Sequence, residues 1–355
     1  MSMRKLRQAT GSMTLGTGAR RWAALALTAA GLGAALPSLA GPVDLPLYYT
    51  TFSGGQNVWR VEGIYSGNGT AGNGAFSLTN DTNIASTGGA DGIVLNPNNQ
   101  FLLIGGQGNA VHQVNPTTGA FTSATPGVNA YHLAVDPNDN VVWASSIPGS
   151  LASVPINPFG GPGTVKSLSG DDTLITSLAF APGGTVFYTN AGASGFGNFG
   201  SIDLATGVTT RFLSNVAAAH GMVYDPFSGS LVLGGNDHIT QINPTTHAIV
   251  HDLVVTGNTF DQGAVDGNGH LFWADNGGRF LFLDYSTTGD VSSSSNFLSD
   301  AFFKGSLDDV APLIGAGGTL NPVPEPETYA LMLAGLSMLG WVGRRRGKAR
   351  ARKDE

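Results

Sequence analysis

Short apolar strands separated by turn residues recur along most of this chain. Between residues 90 and 270, an apolar run ends five times in a turn, and in most cases Pro or Gly follows directly. The turn anchors are Asn96, Asp136, Ala181, Asp225 and Asp266. They lie 40, 45, 44 and 41 residues apart, a spacing that fits a repeated unit of four short strands.

Each repeat carries further strands at fixed distances from its anchor. Seven residues after the anchors, in the middle of a second strand, stand Leu103, Trp143, Tyr188, Val232 and Trp273. A third strand runs into a turn rich in Thr, as at 114–119 and 202–207, and a weaker fourth strand follows. Because the second-strand position recurs in every unit, we expect its aromatic rings between the sheets and not on a sugar-binding surface.

This pattern predicts an all-β fold, a β-propeller of six four-stranded blades. Five blades are visible from residue 90 to 305. The strand-like runs 47–52, 58–62 and 75–79 have no anchor before them, and 307–314 is a single strand. We expect these four strands to form the sixth blade, so that strands from both ends of a domain at 41–317 close the ring. Five or seven blades, or a β-solenoid, are the alternatives.

The unit GAVDGNGHLFWADNGGRFLFLD, residues 263–284, resembles the NHL repeat of six-bladed propellers, although the other units match it loosely. Some related scaffolds are metal-dependent lactonases, in which a Glu, two Asn and an Asp surround the metal. The middle of this chain has a single Glu, Glu62, and we place it in an outer strand. That metal set therefore does not transfer to this sequence.

Composition supports a turn-rich β protein and excludes several kinds of site. The 355 residues include 52 Gly, only 12% are charged, and there is no Cys, which excludes disulfides, zinc–thiolate sites and thiol nucleophiles. Between the two basic ends, 20 acidic residues face 5 basic ones, a net charge near −15. We therefore expect no nucleic-acid partner.

Both ends of the chain carry targeting signals. Residues 1–40 combine basic residues, an apolar run at 22–36 and a small-residue site at 38–40, which predicts a signal peptide for the export translocon. The ordinary secretory route fits better than the twin-arginine route that Arg20-Arg21 suggests. At the other end, a linker at 318–328 precedes an apolar helix at 329–343 and a basic tail at 344–355. The Arg cluster predicts a helix end that stays in the cytoplasm.

The tail resembles the PEP-CTERM sorting signal, also catalogued as the ice-binding protein C-terminal domain. The resemblance rests on Val323, Pro324, Glu325 and Pro326 before the helix, and on Arg344, Arg345 and Arg346 after it. It implies cleavage by an exosortase-type protease in a Gram-negative, matrix-producing bacterium, and it implies no ice binding. We expect an exported protein that is anchored transiently in the inner membrane, faces the periplasm, and then enters the envelope or the extracellular matrix.

The sequence offers no catalytic set. Residues 195–200 satisfy the GxGxxG dinucleotide fingerprint, but a strand and not a helix is expected after them. Asp136, Asn138 and Asn140 begin like a calcium loop, yet Val141 and Ile147 occupy positions that need Gly and Glu. We interpret both segments as blade turns.

One polar column remains, five residues before the anchors at the start of each inner strand. It comprises Asp91, Tyr131, Thr176, His220 and Asp261, with Asp308 as the expected sixth member and His132 and Gln262 next to it. Asp91, His220, Asp261 and Asp308 could bind Ca²⁺ or Zn²⁺ at the channel mouth. Because most propellers have polar, hydrated mouths, we favour a solvated rim over a metal site.

These observations favour an exported binding or interaction module, with extracellular polysaccharide or envelope proteins as partners. A metal-dependent enzyme, either a lactonase or a lyase, is the alternative. A structural surface-layer subunit fits the sequence equally well.

Overall fold

The computed structural model describes residues 43–52, 55–136, 138–146, 149–191 and 195–312. Throughout these ranges the regular structure is β-strand, 23 strands in chain order. Within the same ranges, no helix is long and apolar enough to cross a membrane. The predicted signal peptide, linker, C-terminal helix and basic tail lie outside the described residues.

The described part of the chain begins with a three-stranded antiparallel meander. Its strands are β1 (Val43–Thr51), β2 (Val58–Thr70) and β3 (Asn73–Ala85). Tyr49 lies opposite Trp59, and Tyr65 lies opposite Phe76. These strands coincide closely with the three runs that were expected to belong to the sixth blade.

Three four-stranded antiparallel blades follow, each ordered from the inner to the outer strand. The first contains β4 (Ile93–Leu95), β5 (Leu102–Ile104), β6 (Val111–Val114) and β7 (Phe121–Ala124). The second contains β8 (Leu133–Asp136), β9 (Val141–Ser146), β10 (Ser150–Pro155) and β11 (Thr164–Ser167). The third contains β13 (Ser177–Phe180), β14 (Val186–Thr189), β15 (Gly197–Asp203) and β16 (Val208–Val216), and the short β12 (Ser169–Gly170) pairs in parallel with β16.

A single long strand joins the fourth and fifth blades. The fourth blade uses β17 (Gly221–Asp225), β18 (Ser230–Ile242) and the first half of β19 (Ile249–Val265). The first half of β18 pairs with β17, and its second half pairs with β19. The second half of β19 is the inner strand of the fifth blade, which continues through β20 (His270–Asp275), β21 (Arg279–Asp284) and β22 (Phe297–Phe302).

The last described strand closes the ring. Strand β23 (Leu307–Pro312) pairs antiparallel with β1, so the sixth blade has the order β23, β1, β2, β3. Its inner strand comes from the C-terminal end of the domain and its other three strands from the N-terminal end. The predicted closure is confirmed.

Six hydrophobic clusters lie between the blades, one for each pair of neighbours around the ring. Leu103, Tyr188, Val232 and Trp273, from the repeated second-strand position, are fully buried, and Trp143 packs against the cluster between the second and third blades. The expectation that this position belongs to the inter-sheet core is confirmed. Because every blade is covered on both faces, no blade can be removed without exposing two apolar faces.

Candidate functional site

The inner strands of the six blades converge at one end of the axial channel. Their convergence depends on close backbone approach, because a Cβ atom at Gly221 would lie 2.1 Å from the Asp261 carbonyl oxygen on the neighbouring inner strand. A larger residue at that position would separate β17 from β19. The side chains that begin these strands are consequently brought into contact across the channel mouth.

Asp261 is the centre of the contacts at the mouth. Its Oδ1 atom lies 2.8 Å from Nε2 of His220 and 3.0 Å from Nε2 of His132. The two imidazole rings meet edge to face, with centroids 5.0 Å apart. Oδ1 of Asp91 lies 3.6 Å from the same His132 nitrogen. A single carboxylate oxygen therefore faces two imidazole nitrogens from two other blades.

Two further carboxylates lie close to Asp261, each with an oxygen within 4.8 Å. Asp308 and Asp309 are the second and third residues of β23 and are 3% and 0% exposed. Asp309 Oδ1 accepts a hydrogen bond from the Gln262 backbone N–H (3.1 Å), and the Asp309 N–H donates to Thr50 Oγ1. Within the described part of the chain, Oδ2 of Asp308 and Oδ2 of Asp309 are buried without a hydrogen-bond partner.

Burial and neighbouring charges shift the pKa values of the cluster residues in opposite directions. Although burial alone would raise it, the pKa of Asp261 is held well below its usual range by His220 and His132. Burial and neighbouring carboxylates raise the pKa values of Asp308 and Asp309 well above the usual range. Burial opposes protonation of His132, but the carboxylates around it raise its pKa to about 10. The cluster can therefore hold both protons and positive charge in a buried space.

The structure assembles the column only in part as the sequence predicted. Asp91, His220, Asp261 and Asp308 do meet at the mouth. The expected solvated rim is wrong for Asp261 and Asp308, because neighbouring inner strands cover both carboxylates. These two residues belong to a buried cluster.

Two column members point elsewhere, and two cluster members were missed. The Tyr131 hydroxyl accepts a hydrogen bond from Asn129, and Thr176 Oγ1 donates to the His220 carbonyl. His132 was placed beside the column although it contacts Asp261 directly, and Asp309 was not identified. The available signal was their position, one residue after an expected member on the same inner strand.

A cavity of about 490 Å³ lies among the inner strands, and its lining includes Gln262, the residue after Asp261, but none of the cluster side chains. All six inner strands line it, mainly with apolar side chains such as Val94, Val135 and Val223. Gln262 lies at its mouth end, where its amide nitrogen reaches the Leu133 carbonyl at 3.5 Å. At the opposite end are turn residues of the repeats, among them Pro97. The cavity is thus an apolar channel with one polar end.

The other sequence motifs lie away from this site. Strand β15 begins at Gly197, so the glycine-rich fingerprint continues into a strand, as expected. Oδ1 of Asp136 accepts the backbone N–H of Asn138 in a blade turn. Glu62 lies on β2, the third strand of its blade, and pairs with Arg60 at 3.2 Å.

Comparison with known proteins identifies the C-terminal signal. Residues 322–346 match the PEP-CTERM protein-sorting motif, which confirms the predicted sorting signal. The motif indicates a secreted, envelope-associated protein. No curated protein matches the chain.

Several solved structures are similar to the chain at low sequence identity. The virginiamycin B lyase of Staphylococcus aureus is 12% identical with a TM-score of 0.46, over 76% of this chain and 86% of the lyase. A catalytically inactive variant of that lyase, with quinupristin, is 13% identical with a TM-score of 0.46, over 75% and 86%. A chain of the mitotic checkpoint complex is 14% identical with a TM-score of 0.47, over 74% and 82%. The pairing of its strands and the packing of its blades show that this chain is a propeller.

Proposed function

We propose that this protein is an exported, envelope-associated binding protein whose ligand occupies the axial channel of the propeller. The observation that carries the proposal is the apolar cavity of about 490 Å³ among the inner strands, whose lining residue Gln262 directly follows Asp261 of the buried cluster of carboxylates and imidazoles. Its volume is within the range of small-molecule sites, which combine apolar walls with a few convergent polar groups.

The chemistry of the channel restricts the ligand. Walls formed by Val94, Val135, Val223 and their neighbours favour an apolar body. At the polar end, Asp261, Asp308 and neighbouring carboxylates disfavour an anionic group. We therefore propose a ligand with an apolar body and a neutral or positively charged end. Extracellular polysaccharide and envelope proteins, as hydrated macromolecules, would contact the outside of the propeller.

The route to the envelope follows from the terminal signals. We propose that the translocon exports the chain and that the segment at 329–343 holds it in the inner membrane with the propeller in the periplasm. An exosortase-type protease then removes the tail. The match at residues 322–346 supports this order of events.

Binding of a neutral fluorescent probe to the full chain tests the channel. N-phenyl-1-naphthylamine has an apolar body and no charge, and we expect it to bind saturably with one site per chain. Val135→Phe and Val223→Phe place larger side chains on the channel wall. Each should weaken probe binding at least about tenfold, since the ring occupies space that the probe needs.

Val208→Phe provides the matched control, because Val208 lies on outer strand β16 and is 43% exposed. It makes the same chemical change without touching the channel and should leave binding unaltered. Equal binding by all three variants would place the probe outside the channel and contradict the proposal.

A metal-dependent enzyme of the lactonase or lyase kind is a second candidate. The observation that favours it is the pair of imidazole nitrogens on one buried carboxylate at the end of a cavity, since strongly perturbed groups in clefts are common at active sites. Turnover of a lactone panel by the full chain, lost in His220→Gln, would favour this candidate over simple binding.

A further inference from the structure

The contacts of His220 indicate what its ring can bind. Nδ1 lies 2.5 Å from the Ala191 carbonyl oxygen, which can only accept a hydrogen bond. This nitrogen therefore carries a hydrogen, and in the neutral ring Nε2 presents its lone pair to Asp261 Oδ1 at 2.8 Å. A lone pair and a carboxylate repel unless a positive species lies between them. Metal-binding histidines commonly use their second nitrogen to donate to a backbone carbonyl in this way.

His132 brings a second imidazole nitrogen to Asp261 from another blade, although its own Nδ1 has no hydrogen-bond partner among the described residues. Its Nε2 lies 3.0 Å from the same Asp261 oxygen, and its ring is 4% exposed. One ligand atom from each of His132, His220 and Asp261 lies within 4.8 Å of the other two. Two nitrogens and one oxygen thus converge on a single point.

Asp308 and Asp309 add carboxyl oxygens that lack hydrogen-bond partners within the described ranges. One oxygen from each of Asp261, Asp308 and Asp309 lies within 4.8 Å of the others. Oδ2 of Asp308 and of Asp309 have no hydrogen-bond partner among the described residues, although both side chains are at least nine-tenths buried. Buried carboxylates that lack partners are costly, and a nearby cation removes that cost.

We propose that this cluster binds one divalent cation of the Zn²⁺ class, with Nε2 of His132, Nε2 of His220 and a carboxylate oxygen of Asp261 as its ligands. Asp308 and Asp309, each with an oxygen within 4.8 Å of one of Asp261, balance the charge of the ion. Imidazole ligands favour borderline first-row ions over Ca²⁺, which takes oxygen ligands. The inference rests on the proposed function only in placing the ion at the polar end of the binding channel.

Metal titration of the full chain tests this site. The chain is stripped with chelator, dialysed, and titrated with ZnCl₂ or CaCl₂ in a calorimeter. We expect one Zn²⁺ per chain and Ca²⁺ binding that is at least about tenfold weaker. His132→Gln and His220→Gln should each weaken Zn²⁺ binding at least about tenfold, because each removes a ligand nitrogen.

His238→Gln is the matched control. His238 also pairs with a carboxylate, Asp252 at 2.9 Å, but on the second half of β18 and outside the cluster. The control should bind Zn²⁺ like the unaltered chain. Absence of Zn²⁺ binding, tighter binding of Ca²⁺ than of Zn²⁺, or equal binding by all three variants would overturn the proposal.

X-ray absorption of the Zn²⁺-loaded unaltered chain gives a readout that does not depend on the folding of the variants. We expect imidazole scattering from two rings, and a shell of oxygen ligands alone would overturn the assignment. Probe binding in the same samples separates the two proposals. If the unaltered chain binds the probe but not Zn²⁺, only the metal site is contradicted. If it binds Zn²⁺ but not the probe, only the ligand channel is contradicted.

Discussion

Trp273 joins the core of the propeller to the channel mouth. Its indole ring is fully buried, and its Nε1–H donates to the backbone carbonyl of Asp261 at 2.8 Å. The ring packs so closely on Gly234 that a Cβ atom there would lie 2.3 Å from it. The sequence repeat accounts for the burial of this side chain, and the hydrogen bond explains how a core residue helps to hold Asp261 in place.

His270 provides a second buried charge, remote from the mouth, with a predictable effect of pH. Its Nδ1 lies 2.6 Å from Asp266, its Nε2 lies 3.5 Å from Asp284, and the Tyr65 ring packs against it. Burial opposes the charge, but these carboxylates raise the pKa of His270 to about 9. Despite burial, hydrogen bonds from His270 and Ser286 lower the pKa of Asp284 to about 2.

These shifts predict a maximum of stability in mildly acidic solution. Protonated His270 contributes fully below pH 6.5, the ordinary value, and its contribution is lost as the pH rises through 9. The contribution of ionised Asp284 is present above pH 3.8 and is lost as the pH falls through 2. We expect the free energy of unfolding to fall by up to about 3 kcal/mol between pH 6.5 and 9.5 from His270 alone.

Urea unfolding across this pH range checks the prediction. His270→Gln should make the alkaline decline smaller, because glutamine does not titrate, while the part of the decline that comes from His132 remains. His251→Gln removes a more exposed histidine, 36% exposed and paired with Asp290, and should retain the decline. The same alkaline slope in His270→Gln as in the unaltered chain would show that other groups cause it.

At the scale of elements, one type of turn ends most inner strands. Side-chain oxygens of four of the five anchors accept the backbone N–H two residues later; these anchors are Asn96, Asp136, Asp225 and Asp266. Ala181 lacks such an oxygen, and its turn uses the Gly184 N–H and the Ala181 carbonyl. The sequence repeat is therefore a repeat of Asx turns, which act within a few residues and can be recognised from local sequence.

The closing strand β23 should contribute strongly to stability. Leu307 is fully buried in the cluster between the fifth and sixth blades, and its strand pairs with β1. We expect Leu307→Ala to lower the free energy of unfolding by about 2–5 kcal/mol, because it leaves a cavity where the two ends of the domain pair.

Leu298→Ala makes the same change on outer strand β22, where the side chain is 41% exposed. Its effect should remain within about 0.5 kcal/mol. Denaturant unfolding of both variants measures the difference. Similar losses in the two variants would show that the ring does not depend on its closing strand.

At the scale of the whole molecule, we expect the terminal signals to act on a propeller that is already closed. The sorting motif at 322–346 begins ten residues after the last described strand ends at Pro312. Removal of the tail would therefore leave the closed ring intact. The pairing of β23 with β1 closes the ring, and both strands precede the sorting motif in the chain.

Processing in the producing bacterium tests this order of events. The mature protein should lack residues 1–40 and the basic tail, which intact-mass measurement detects. Changing Arg344, Arg345 and Arg346 together to Ser should leave unprocessed precursor, because the positive charges hold the helix end in the cytoplasm. Recovery of a mature chain that still ends at Glu355, or normal processing of the triple variant, would contradict the sorting proposal.

Local sequence was sufficient to predict the architecture of this protein. Asx turns, strand lengths and the 40–45-residue spacing are properties of short segments. They predicted six blades, the closure by 307–314 and the burial of Trp273, because each blade must cover the apolar faces of its neighbours. The sorting signal is likewise a short contiguous segment.

Only the tertiary structure decided which side chains meet at the channel mouth. A difference of one residue decides whether Tyr131 or His132 contacts Asp261, and these two residues lie just before β8, where no strand pattern fixes their direction. The repeat predicted Tyr131, and it missed Asp309, although Asp308 and Asp309 both contribute an oxygen to the cluster. Burial of the cluster also depends on how closely separate inner strands approach, as at Gly221. No local pattern records these distances, because they arise when blades far apart in sequence pack around one axis.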